Sequence, residues 1–179
     1  MAVGVLLVAV GVAAFAGGKS DPDSPQPSAL SAPPPQGGKE VVHRETGVTL
    51  DRPPGWAVSR TESALVFRSR DRSAVLSIFS PSRAPRGAAA VLQAGLREIR
   101  SSYTDIEARP GDGRRVAGLP TSAVVISARN RRGVPVRILV AAAQGRRRAW
   151  LVQVFTAAEG STARLLEAQV ALGSLMLEG

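Results

Sequence analysis

Gly47-Val48-Thr49-Leu50-Asp51-Arg52-Pro53-Pro54-Gly55-Trp56 is the stretch on which the reading of this chain turns. Val48 and Leu50 alternate with Thr49 and Asp51 as the two faces of a short strand do, so a strand ends near Asp51. Pro53 pushes Arg52 toward extended geometry. Pro54-Gly55 then suits the centre of a type II turn, because proline fixes φ at the first central position and glycine accepts a positive φ at the second. The turn delivers Trp56 into a second strand, Trp56 to Ser59. There the indole is expected as a core plug rather than as an exposed ligand-stacking ring, since large aromatics favour burial. Pro54, Gly55 and Trp56 are therefore expected to be structural: a corner joining two strands.

The whole chain has 179 residues, 44% of them hydrophobic, and a formal net charge of +9. With no cysteine and one histidine, His43, it has no disulfides, thiol nucleophile or zinc–thiolate site. Ser-His-Asp triads and histidine-clustered metal sites have almost no raw material. Residues 1–18 carry no charge and run through Val5, Leu6, Leu7, Val8, Val10 and Val12 to Ala14-Phe15-Ala16. That pattern reads as an export signal with an A-x-A cleavage site, or as an uncleaved N-terminal membrane anchor. As a helix the segment reaches about 27 Å, slightly short of a hydrocarbon core of about 30 Å. No Lys or Arg precedes the apolar run, which departs from the usual signal. Residues 19–40 shift to Pro, Ser and Gly and read as a disordered linker. One folded domain, residues 41–179, is left. It is expected outside the cytoplasm, secreted or held at the membrane by the N-terminal segment.

Within that domain, Leu65 to Arg68 and Ala74 to Phe79 form a hairpin around Ser69-Arg70-Asp71-Arg72. Leu92, Leu96, Ile99 and Tyr103 recur at helical spacing, with Gln93, Arg97, Glu98 and Arg100 on the wet side. Asp105 to Arg109 reads as an edge strand in which Asp105 and Glu107 share a face, and Arg114 to Ala117 as a short strand. Thr121 to Ala128, Pro135 to Ala143 and Ala149 to Thr156 make a meander. Trp150, Val152, Val154 and Thr156 share one of its faces; Leu151, Gln153 and Phe155 share the other, so helices should cover both sides. The last helix spans Thr162 to Leu177 with Ser161 as N-cap. A broad apolar arc runs through Leu165, Leu166, Val170, Leu172, Leu175 and Met176; Arg164, Glu167 and Gln169 form its polar remainder.

The order of these features, with Thr49-Leu50, Pro54-Gly55-Trp56 and Gly118-Leu119-Pro120 in place, resembles the PsbP-like fold family over Val41 to Gly179. The resemblance implies an α+β class: an antiparallel β-sheet meander with helices packed on its faces. It also points to the exported and lipoprotein-like bacterial members of that family, although no cysteine is present here to carry a lipid. It supplies no shared active site and no cofactor.

Charge is the strongest functional signal. Arg68, Arg70 and Arg72, then Arg129, Arg131 and Arg132, then Arg146, Arg147 and Arg148 fall in hairpin turns, where they serve solubility or meet an anionic partner. The turns after Ala128 and after Ala143 lie at opposite ends of one strand, about 30 Å apart, so they form no single nucleic-acid groove. Aromatic residues, at 4%, are too sparse for base-stacking platforms. The reading is an exported or membrane-tethered, non-enzymatic binding domain that engages a protein partner or cell-envelope component. Arg129, Arg131, Arg132, Arg146, Arg147 and Arg148 are its candidate contacts to an anionic partner, including an anionic membrane surface. The alternatives are a basic adaptor for nucleic acid or anionic polymer, and a hydrolase. No catalytic, cofactor-binding or metal-ligating residue stands out.

Overall fold

The computed structural model describes residues 38–82, 87–111, 116–119, 121–158 and 162–178. The expected export segment, nearly all of the linker, the Ser161 cap and residues 112–115 lie outside the described residues.

The described residues form two sheets and two helices. A three-stranded sheet joins β1 (Glu40–His43), β2 (Val48–Asp51) and β10 (Met176–Leu177) in the order β1-β2-β10. The larger sheet joins β3 (Ala57–Thr61), β4 (Ala64–Arg68), β5 (Ala74–Phe79), β6 (Thr104–Pro110), β7 (Thr121–Arg129), β8 (Pro135–Gln144) and β9 (Ala149–Ala157). Its seven strands run β3-β4-β5-β9-β8-β7-β6, antiparallel throughout. Helix α1 (Ala88–Ser102) and helix α2 (Thr162–Gly173) complete the fold. This is the α+β class, an antiparallel meander with helices on its faces.

Strand β9 lies at the centre and every one of its residues is buried. Its alternation sorts the core into two layers. Leu151 and Phe155 pack with Ile126, Ile138 and Val140 against Val91, Leu92, Leu96 and Ile99 of α1. Trp150, Val152 and Val154 pack with Phe67, Leu76 and Ile78 against Trp56, Val48 and Leu50, and against Ala168 and Ala171 of α2. Helix α1 approaches closely: a Cβ on Gly95 would fall 2.6 Å from Leu151 Cδ2. Tyr103 stacks on Phe155 with ring centroids 6.3 Å apart, and burial pushes its phenol pKa up.

The opening stretch forms the corner between the sheets. Trp56 N donates to Pro53 O across the turn, and Gly55 takes a φ of 74°, the left-handed region that a type II turn needs at this position. The following strand starts at Ala57, with Trp56 itself in the junction and only 2% exposed.

Several expectations change in detail. The second face is covered by the small sheet as well as by α2. Helix α2 stops at Gly173, because Ser174 turns its hydroxyl back to Ala171 O and accepts a hydrogen bond from Asp51 N; Met176–Leu177 then pairs with β2. In β6 the register shifts between Thr104 and Glu107, with Asp105 at a φ of 50°, so Asp105 and Glu107 do not alternate on one regular face. Of the short strand expected over Arg114 to Ala117, the described part makes only an isolated bridge from Val116 to Leu119. The largest change concerns the polar side of α2.

Candidate functional site

Helix α2 is turned partly inside out relative to its sequence pattern. Arg164 and Glu167 are partly buried, their side chains 32% and 30% exposed, whereas Leu166 is 56% exposed and Val170 48%. The charged pair points inward because it has partners there. Trp56 Nε1 donates to Glu167 Oε2 at 2.7 Å, Arg164 Nη1 donates to Glu167 Oε1 at 2.7 Å, and Arg164 Nε donates to Asp71 Oδ2 at 2.9 Å. Ser69 Oγ, Ser73 Oγ and Ser73 N donate to Asp71 Oδ1. Burial opposes ionisation of Asp71. The hydrogen bonds from Ser69, Ser73 and Arg164 outweigh it and hold the carboxyl well below the usual carboxylate range. This chain of contacts ties the Trp56 corner, α2 and the β4–β5 turn together.

On the flank of α2 that bears Leu165 and Gln169, a trough of about 180 Å³ opens over β7, β8 and β9. Two cross-strand rows make its floor. Val125, Leu139 and Val154 lie in register as an apolar row. Two residues nearer the sheet end, Ser127, Arg137 and Thr156 form a polar row, of which Arg137 and Thr156 line the trough. Thr156 Oγ1 donates to Arg137 O at 3.4 Å, while the Arg137 guanidinium is exposed and makes no ion pair among the described residues. The same rows continue onto β6 as Arg109 beside Val125 and Glu107 beside Ser127.

The arginine turns divide between the two ends of the large sheet. Arg70 and Arg72 lie in the β4–β5 turn and Arg131 and Arg132 in the β7–β8 turn, and all four are exposed. Both turns flank the C-terminal end of β9, where Ala157 N donates to Ser73 O and Ala158 N to Pro135 O. They stand three strand spacings apart, about 14 Å. Arg129, beside them, is committed to Asp105 at 3.4 Å and to Gly133 O. Arg146, Arg147 and Arg148 sit at the other end of β8. Arg148 braces the β1–β2 turn by donating to Glu45 O, next to the Trp150 Nε1 bond to Thr46 O, so it acts inside the fold. Arg146 and Arg147 are exposed. The structure thus brings the first two arginine turns together and separates the third.

Sequence reasoning did not find the trough or Arg137. The only signal was a lone arginine inside an otherwise apolar strand, Pro135 to Ala143. Among the described residues no group of three or more His, Cys, Asp or Glu could hold a metal ion. Nor is any described helix long and apolar enough to cross a membrane. His43, buried in the β1–β2 sheet, has its Nδ1 within 2.6 Å of Thr46 Oγ1 and its Nε2 3.4 Å from Glu45. It is part of a turn rather than an open site.

No protein-family model and no curated protein matches the sequence. Solved structures do match its fold. The yeast Saccharomyces cerevisiae Ran-binding protein Mog1p superposes with a TM-score of 0.55 at 13% identity, covering 78% of this chain and 94% of that one. The cyanobacterial PsbP (CyanoP) of Synechocystis gives 0.55 at 14% identity, covering 86% and 98%. A protein of Bacteroides thetaiotaomicron gives 0.56 at 13% identity over 80% of this chain, which spans only 50% of that one. The chain therefore has the PsbP-like fold shared with CyanoP and Mog1p.

Proposed function

We propose that this chain is an exported or membrane-tethered, non-enzymatic binding domain that engages a protein partner or a cell-envelope component. The observation that carries this reading is the outward side of α2. Its exposed Ala163, Leu166, Gln169 and Val170 form a helical face without charge, while the helix's own charged residues are spent on internal contacts. Mog1p, of the same fold, binds Ran, which supports a binding role for the architecture without naming a partner for this chain. The uncharged Met1 to Gly18 segment supports the export half of the reading.

The test has two arms. The full chain fused at its C-terminus to a reporter active only outside the cytoplasm is expected to score positive, and cytoplasmic activity would sink the export reading. A photo-crosslinking residue at position 166, with position 97 on α1 as control, is expected to yield a discrete adduct only from α2. Equal labelling at the two positions would remove the assignment of the binding face.

The alternative of a basic partner for an anionic polymer gains one specific observation, the joining of the β4–β5 and β7–β8 turns at one sheet end. Its mark is retention on polyanion that falls steeply with salt and is lost on neutralising Arg70, Arg72, Arg131 and Arg132 together.

A further inference from the structure

From the trough between α2 and strands β7–β9, we infer that it is a site for a small anionic amphiphile, an acyl chain ending in a carboxylate or phosphate. The inference rests on the binding reading above and gives one site a ligand chemistry.

The floor of the trough is graded along the strand direction. Val125, Leu139 and Val154 form one cross-strand row, with Leu165 of α2 standing over it as an apolar wall. One step of two residues, about 6.7 Å along antiparallel strands, leads to Arg137 and Thr156, with Gln169 on the helix side. Beyond them comes the turn carrying exposed Arg131 and Arg132. A ligand lying along the strands therefore meets hydrocarbon first, then hydrogen-bonding groups and a free guanidinium, then further positive charge.

The sign of the head group follows from the charge balance. Arg137 lines the trough, Arg109 stands beside Val125 on the next strand, and Arg131 and Arg132 lie in the adjoining turn; none of the four makes an ion pair among the described residues. The carboxylate of Asp105 is taken by Arg129. Glu107 shares the polar row but stands two strands from Arg137, about 10 Å, near the distance at which salt screens surface charges. A planar guanidinium with its donors free suits an oxyanion. A cationic head group would meet net repulsion.

The size of the ligand follows from the volume. The trough's 180 Å³ is the liquid volume of about six waters, below the range of about 300–1,000 Å³ of drug-sized pockets. It suits a short or single acyl chain rather than a fused-ring cofactor or a nucleotide.

The experiment titrates the ¹⁵N-labelled full chain with octanoate, octylammonium, acetate and octanoyl-lysophosphatidylglycerol, following amide shifts. Octanoate or the lysolipid is expected to shift residues of β7–β9 around Leu139 and Thr156 saturably. The tighter of the two identifies a free fatty acid or a lipid as the source. Octylammonium and acetate are expected to bind at least tenfold more weakly, for want of the matching charge or of the chain. Arg137→Gln, at an exposed position, should weaken the anionic amphiphile at least tenfold, and Val125→Trp should abolish binding by filling the floor. If Val125→Trp fails to fold, Arg137→Gln still decides. Equal affinity for octanoate and octylammonium, or affinity unchanged by Arg137→Gln, overturns the inference. N-acetyl-Gly-Leu binding tenfold more tightly than either amphiphile overturns it in favour of a peptide carboxyl terminus. A negative result here with a discrete crosslink at position 166 removes the ligand and leaves the binding domain; loss of both removes the broader reading.

Discussion

The two helices cover opposite faces of one sheet and follow opposite rules. Helix α1 buries Val91, Leu92, Leu96 and Ile99 and exposes Gln93, Arg97 and Arg100. That is the division expected of a helix whose task is to close a core. Helix α2 seats only Ala168 and Ala171 fully, turns Arg164 and Glu167 toward Asp71 and Trp56, and leaves Leu166 and Val170 in solvent. Hydrophobic area anchors the first helix. Small residues, the half-buried Leu165 and Leu172, and a directional polar chain anchor the second. A helix held by specific contacts along its inner side can spare Leu166 and Val170 for another surface.

The most severe challenge to this contrast is Trp56→Ala, which removes both the plug of the α2 layer and the donor to Glu167. It is expected to cost about 3–5 kcal/mol in urea unfolding, as loss of a buried aromatic does. A variant that kept its melting temperature while losing a ligand would instead make Trp56 a recognition residue. On the α1 side, Ile99→Val tests the apolar anchoring with one methylene. It is expected to cost about 0.5–1.5 kcal/mol, with no change in the pH dependence of stability.

Asp71→Asn probes the polar anchoring. Asp71 is partly solvent-exposed, so screening limits the loss at neutral pH to about 1 kcal/mol. Its signature lies in acid. The carboxyl's folded pKa is depressed below the ordinary value of 3.8. Its contribution is therefore complete above the unfolded pKa and fades as pH falls below about 4 toward the depressed folded value. Stability curves of wild type and variant should converge on acidification over that window, and parallel curves would show that Asp71 does not carry the effect. The smallest change is expected at Leu166→Ser, within about 0.5 kcal/mol. A loss of several kcal/mol there would mean that the outer side of α2 is core after all, ending the contrast.

Regular alternation over long strands made most of the large sheet readable. Trp150, Val152 and Val154 on one side and Leu151 and Phe155 on the other follow directly from period two, and Leu92, Leu96 and Ile99 from helical spacing. What escaped depended on partners far away in sequence. Strand β10 has two residues, too few for a pattern, and the four of β1 start where the stretch read as linker ends. The inward turn of Arg164 and Glu167 depends on Asp71, 93 residues from Arg164, and on Trp56, 111 residues from Glu167. Nothing local distinguishes such charges from solvated ones. The meeting of the β4–β5 and β7–β8 arginine turns, and the graded floor beside Arg137, required the strand order β5-β9-β8-β7, which pairing sets and periodicity does not.

The closing contacts of the small sheet bear on the order in which the molecule is made. Asp51 N finds Ser174 Oγ 123 residues later, and Val48 and Thr49 wait for Leu177 and Met176. Until then β2 has an open edge and the Trp56 layer lacks its helix, while the α1 layer already has nearly all its parts once β9 has formed. Contacts of such separation form late and slowly. During synthesis, the α2 side is therefore expected to be the face still open when the rest has folded, and the one that a chaperone would meet.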